Sequence, residues 1–226
     1  MSLEIDWGYI RTYTSDMKLM GANFGARMTI IKMNSGDLFI HSPIPLTAAI
    51  RQEIDDFGRV GIVVAPNDFH HLYVKDYMAS YLEAEFLGSP GLRTKRPDLK
   101  FSRYFSDEFV PAWKSEIDFV VFRGSKTFHE VVFYHPTTKT LILTDLAMNL
   151  KGRHGLVDSL VFSLAGVNNK FTSSRILKSV TKNRVLAREA VRKMLQWPFE
   201  KVIVAHGELI TGDARNQIRQ AFAWLA

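Results

Sequence analysis

The 226-residue sequence has no cysteine, which removes disulfides, thiolate zinc sites and a cysteine nucleophile together. Any metal must then be held by His, Asp, Glu or water. Long apolar runs are missing as well, since none approaches the roughly 20 residues that cross a bilayer. The opening Met1-Ser2-Leu3-Glu4-Ile5-Asp6 puts acids where a signal peptide carries basic and then apolar residues. A soluble, cytoplasmic protein with no membrane partner is expected. Gly-x-x-x-x-Gly-Lys-Ser/Thr, Gly-x-Gly-x-x-Gly and Gly-x-Ser-x-Gly are absent, so nucleotide-loop and serine-elbow chemistries lack a handle. No repeat period and no low-complexity linker divides the chain, and one domain over residues 1–226 is expected.

What is present is ordinary in bulk: 46% hydrophobic and 23% charged residues, enough to bury a sizeable core. The net charge of +6 keeps nucleic acid and anionic substrates open as partners. Lys170, Arg175, Lys178, Lys182, Arg184, Arg188, Arg192 and Lys193 crowd one segment, relieved only by Glu189. A solvated helix face explains such a run, and a nucleic-acid surface is the sharper alternative. The segment lacks the interleaved aromatics of a single-strand binding groove.

Local signals predict alternating strands and helices. Strands are expected at 27–33 and 38–41 around the turn Asn34-Ser35-Gly36-Asp37. A helix follows over 46–57, with Thr47 as N-cap and Gly58 as stop. Another strand ends at Val64, a helix spans 73–83 and a strand 84–88. Residues 89–106, rich in Pro, Gly and basic residues, read as irregular. Strands are expected at 118–122, 130–135 and 140–144, then a mixed stretch over 149–183 that includes Asn168-Asn169 and Ser173-Ser174. A helix over 185–196 stops before Pro198. A strand to Ala205 and an amphipathic helix over 214–225 close the chain.

Three distant apolar runs end on His or Asp. Val60 to Val64 leads into Ala65-Pro66-Asn67-Asp68-Phe69-His70-His71, Thr140 to Thr144 into Asp145, and Lys201 to Ala205 into His206-Gly207. Polar groups at strand ends sit on loops positioned by a rigid sheet, where binding and catalysis concentrate. Imidazole and carboxylate suit zinc, iron or manganese. Each cluster also has a structural explanation: His70 as an interior histidine, Asp145 as a cap, His206-Gly207 as a turn with positive φ. His41, His135 and His154 have no spacing argument and are expected to be structural or surface residues. Glu208 is near enough to His206 to orient it, although a solvated loop acid is the plainer reading.

This order of elements and clusters resembles the metallo-β-lactamase superfamily. The family places an Asp-bearing hairpin, then T-H-x-H-x-D-H, then a bridging Asp, then His-Gly at successive strand ends. Here Leu38 to Pro43, Ala65 to His71, Lys139 to Asp145 and Val202 to Gly207 hold those places in order. Asp145 and His206 match outright, as does His71. Pro66 stands where the first histidine belongs, Asp68 replaces the second, and His70 replaces the aspartate. The family's third-ligand stretch falls near Gly124-Ser125-Lys126, with His129 close by, and the His41-Ser42 region replaces the hairpin aspartate. Pro-Asn-x-x-His-His with Leu-Thr-Asp and Ala-His-Gly looks like an uncharacterised bacterial branch, a domain of unknown function. The resemblance implies an α/β fold, a four-layer αββα sandwich, with imidazoles and acids meeting at one edge.

It also implies a divergent metal-dependent hydrolase acting on a small-molecule ester, lactone, thioester or phosphoester. The metal set would be His71, Asp145 and His206 with His70, holding zinc, or iron or manganese, with Asp68 or Asp145 orienting water. Adjacent histidines on an extended chain point to opposite sides. Either one ligates and the other supports it, or the loop is tightly wound; the expectation is that His71 faces the metal while His70 packs or supports it. The alternative is a catalytically degenerate ligand-binding or interaction module with no bound metal.

Overall fold

Residues 2–152 and 154–226 are described by the computed structural model. Its contacts fall into two units, one of residues up to 16 with 26–106, the other of 17–25 with 107–226.

Turn chemistry and β-branched runs build the first unit. Strand β1 (Ser2–Asp6) pairs with β2 (Ile10–Ser15). The short β3 (Lys18–Leu19) and β4 (Ala22–Asn23) form a hairpin that belongs to the second unit. The expected hairpin is β5 (Ala26–Lys32) and β6 (Leu38–His41), registered from Thr29↔His41 to Lys32↔Leu38. Helix α1 (Ala48–Phe57) buries Ile50, Ile54 and Phe57, the i, i+4, i+7 stripe of an amphipathic helix. Thr47 caps it by accepting the Ile50 amide at 3.3 Å, and the Gly58 amide returns to the Ile54 carbonyl.

Strand β7 (Val60–Ala65), helix α2 (Val74–Ser80) and strand β8 (Glu85–Gly88) follow. α2 is shorter than its expected 73–83, because exposed Leu82 offers no apolar face to prolong it. The irregular stretch contains a single turn, α3 (Leu92–Lys95), and a two-residue strand, β9 (Arg103–Tyr104). The seven strands run β1-β2-β5-β6-β7-β8-β9, antiparallel as far as β6 and parallel from β6 to β9. Parallel pairing brings the loops after β6, β7 and β8 out at one end of the sheet, where α/β proteins place their ligands.

In the second unit β10 (Asp118–Phe122), β11 (Glu130–His135), β12 (Thr140–Ile142) and β15 (Lys201–Ile203) form one sheet in that order. Between β12 and β15 lie β13 (Met148–Asn149), α4 (Leu156–Ala165), β14 (Phe171–Thr172), α5 (Arg175–Val180) and α6 (Arg184–Gln196). Helix α7 (Ala214–Ala221) closes the unit with a short 3-10 turn. Asn183 caps α6 through the Leu186 amide, and Trp197 ends it ahead of Pro198. Ala187, Ala190, Val191 and Met194 of α6 pack on Phe122, Leu141 and Val202 of the sheet. Each such large side chain contributes about 1.5–3 kcal/mol on burial. α4 lay inside the mixed stretch because its Leu156, Val157, Leu160 and Leu164 face outward while Phe162 alone is buried.

Candidate metal centre

In the second unit β12 and β15 are parallel, with Ile142 the register partner of Ile203. Asp145 and His206 each lie three residues beyond that pair, so equal strand lengths deliver a carboxylate and an imidazole to the same edge. Asp145 Oδ1 and His206 Nε2 are 3.0 Å apart, with His206 buried and Asp145 partly exposed.

The other ring nitrogen decides what that distance means. His206 Nδ1 lies 2.7 Å from the Gly25 carbonyl oxygen. A carbonyl oxygen only accepts, so Nδ1 carries the hydrogen and donates. In the neutral ring Nε2 then holds a lone pair, aimed at a carboxylate oxygen. Two acceptors at 3.0 Å repel unless positive charge stands on or between them, as a ring proton or as a cation held by both. A histidine that gives its far N–H to a backbone carbonyl is in the usual arrangement of a metal ligand. The donor set therefore fits a divalent cation.

Three residues hold this pair in place. Buried Glu130, at the start of β11, accepts the amides of Thr144 and Asp145 at 2.8 Å each and of Leu146 at 3.2 Å. One carboxylate thus satisfies three successive donors that would otherwise be buried without partners. Asn149 receives the Glu208 amide, donates its own amide to His206 O and sends Nδ2 to Glu208 O. Gly207 has φ +89°, and a Cβ there would collide with the Asn149 carbonyl, so only glycine fits. Glu208 itself is solvent-facing, and its backbone rather than its carboxylate makes these bonds.

The first unit builds its loop around Asn67, which is wholly buried. Its Oδ1 accepts the amides of Phe69 at 2.8 Å and His70 at 2.7 Å, and the His71 amide turns back to Phe69 O. This is an Asx turn, and it winds the loop tightly. His70 Nδ1 lies 2.7 Å from the Ser42 hydroxyl, and Ser42 sits at φ +57°, an uncommon conformation for a residue with a side chain. His71 is held differently. Its Nδ1 accepts from the Arg96 guanidinium at 2.9 Å, and burial followed by the Arg96 and Lys95 charges pushes its pKa down. Asp68 is buried beside Ser89, whose hydroxyl donates to Oδ1 at 2.8 Å, and Gly91 leaves the carboxylate its room.

His41 is buried, and desolvation with the His70 charge lowers its pKa to about 3. His135 is also buried, bonds Thr138 through Nδ1 and is lowered to about 4 by desolvation. His154 lies edge-on to Phe162 and reaches the Leu150 carbonyl. These are structural placements. In the basic segment, Arg188 donates to Leu225 O and Arg175 to Leu164 O, so part of its charge supports helix packing. Among the described residues no helix is long and apolar enough to cross a membrane. Glu130, Asn67 and Gly25 were not among the expected site residues; Gly25 is 181 positions from His206, beyond any spacing rule.

The fold is that of the metallo-β-lactamases, an α/β arrangement of mixed sheets and helices. A metallo-β-lactamase from Pontibacter korlensis superposes with TM-score 0.65 over 99% of this chain and 98% of its own, at 13% identity. One from Hirschia baltica gives 0.64 over 99% and 97%, at 11% identity. A metal-soaked flavodiiron core from Synechocystis gives 0.68 over 99% of this chain and 60% of its own, at 12% identity. No curated protein matches by sequence. Residues 8–160 match the domain of unknown function DUF4336, and the chain belongs to that family. The matched span includes the Asn67 loop and Asp145 and ends before His206.

Proposed function

We propose that this chain is a divergent metal-dependent hydrolase acting on a small ester, lactone, thioester or phosphoester, with its 226 residues working as one functional domain. Asp145 and His206 supply two ligands of one cation, zinc or else iron or manganese. When bound, the cation supplies Lewis acidity and makes water nucleophilic near neutral pH. The protein's own part is to hold the ligands oriented: Gly25 O fixes the His206 tautomer, and Glu130 fixes the loop of Asp145.

The observation that carries this reading is the 3.0 Å approach of His206 Nε2 to Asp145 Oδ1 while Nδ1 is committed to the Gly25 carbonyl. Protein purified free of chelator is expected to bind zinc, iron or manganese, and His206→Ala to abolish it by calorimetry. Hydrolysis of an ester, lactone and thioester panel should disappear in the same variant. A wild-type chain with no affinity for any of the three metals overturns the reading.

A second reading is a metal-free module of the same fold. Pro66 in place of a ligand and the Arg96 charge against His71 favour it. No affinity for zinc, iron or manganese, and no hydrolysis across the panel, would be its result.

A further inference from the structure

A cavity of about 290 Å³ opens in the second unit, and none of its lining residues is a candidate metal ligand. This volume is at the lower end of small-molecule pockets. The residues that shape it are Phe109, Lys114, Asp118, Phe119, Lys193 and Trp197. Four successive residues of β10, Asp118 to Val121, border it. Neighbours on a strand alternate faces, so the cavity runs along the strand's edge, and β10 is the outer strand of its sheet.

That edge is already closed to another strand at its start. Asp118 folds back to accept the Phe119 amide at 2.8 Å and Trp197 Nε1 at 2.9 Å. Capping of this kind is how edges avoid strand addition. The occupant the cavity suits is therefore a small molecule and not a peptide.

Its charge identifies the class. Asp107 is paired with Arg123 at 3.1 Å, whereas the donors to Asp118 are the neutral Phe119 amide and Trp197 indole, so with Lys114 and Lys193 the lining keeps a formal charge of about +1. Lys114 and Lys193 have no carboxylate partner among the described residues, and both are exposed at the rim. The apolar wall combines Val120 and Val121 with the rings of Phe109, Phe119 and Trp197. Phe109 and Phe119 are tilted at 6.1 Å, and Trp197 stacks on Tyr134 at 5.4 Å. Flat aromatic walls under a rim of unneutralised ammonium groups complement a planar aromatic anion. We propose that this cavity binds an aromatic carboxylate, whose ring lies against Phe119 and Trp197 and whose charge meets Lys114 and Lys193.

The full-length protein is titrated with 2-naphthoate, naphthalene-2-carboxamide and 2-naphthylmethylammonium by calorimetry. Saturable binding of naphthoate is expected, with the neutral amide about tenfold weaker, a difference of about 1.4 kcal/mol, and the cation weaker still. The double substitution Lys114→Gln/Lys193→Gln should remove the preference for naphthoate over the amide. Both side chains are exposed, so circular dichroism and melting should be unchanged. Trp197→Leu should weaken naphthoate and amide alike. Absence of saturable naphthoate binding, equal affinity for the amide, or a preference untouched by the double variant overturns the proposal.

Discussion

The carboxylate of Glu130 accepts the backbone amide of Asp145 at 2.8 Å, and it takes the amides on either side as well. Removing a group that satisfies several buried donors costs more than the bonds themselves. Glu130→Gln should destabilise by about 1–3 kcal/mol and Glu130→Ala by about 3–5 kcal/mol in urea unfolding. Metal affinity in Glu130→Gln should fall about 10- to 100-fold, the usual cost of losing a group that orients a ligand. Unchanged affinity in a folded variant would leave Glu130 a purely structural residue.

Metal binding to the native state raises its melting temperature by mass action. Zinc at about 100 times its dissociation constant adds about 2.7 kcal/mol, or roughly 5–10 °C for a chain of this length. Thermal shift assays should show the increase for wild type and none for Asp145→Asn or His206→Ala.

Gly207→Ala places a methyl group at φ +89° against the Asn149 carbonyl. The left-handed conformation alone costs about 1–2 kcal/mol, and relieving the collision must move one of two buried segments. A loss of more than about 2 kcal/mol in urea unfolding is expected, together with displaced NMR signals for the His206 imidazole.

Acid should destabilise the protein before its carboxylates titrate. His41 and His135 have folded pKa values of about 3 and about 4, against an unfolded value of 6.5. Between those limits the unfolded chain binds more protons, so stability is intact above about pH 6.5 and falls as pH drops toward 3. Each pKa unit is worth about 1.4 kcal/mol, so a loss of several kcal/mol is expected. Urea midpoints measured at pH 7, 5.5 and 4.5 should decline steadily, and His135→Gln should flatten the slope. A flat wild-type profile would contradict the burial of both neutral rings.

Much of the architecture was legible because punctuation and periodicity agreed. The strands at 118–122 and 130–135 coincide with β10 and β11, since β-branched and aromatic runs there are bounded by clear turn residues. Thr47 and Gly58 framed α1 for the same reason. Asp145 and His206 stood out because strand ends are where loops carry chemistry. What could not be read depends on tertiary distance. Glu130 meets its partners 14 to 16 residues later, and Arg96 reaches His71 across 25 positions. α4 escaped because outward leucines erase the polar face that marks an amphipathic helix.

Asn149 clasps the His206 segment through backbone and side chain together. Opening one stretch therefore means opening the other, and the amides of Asn149 and Glu208 should exchange their hydrogens as a single cooperative unit. The imidazole is consequently poised before any visitor arrives, and little ordering entropy is left for an incoming partner to supply.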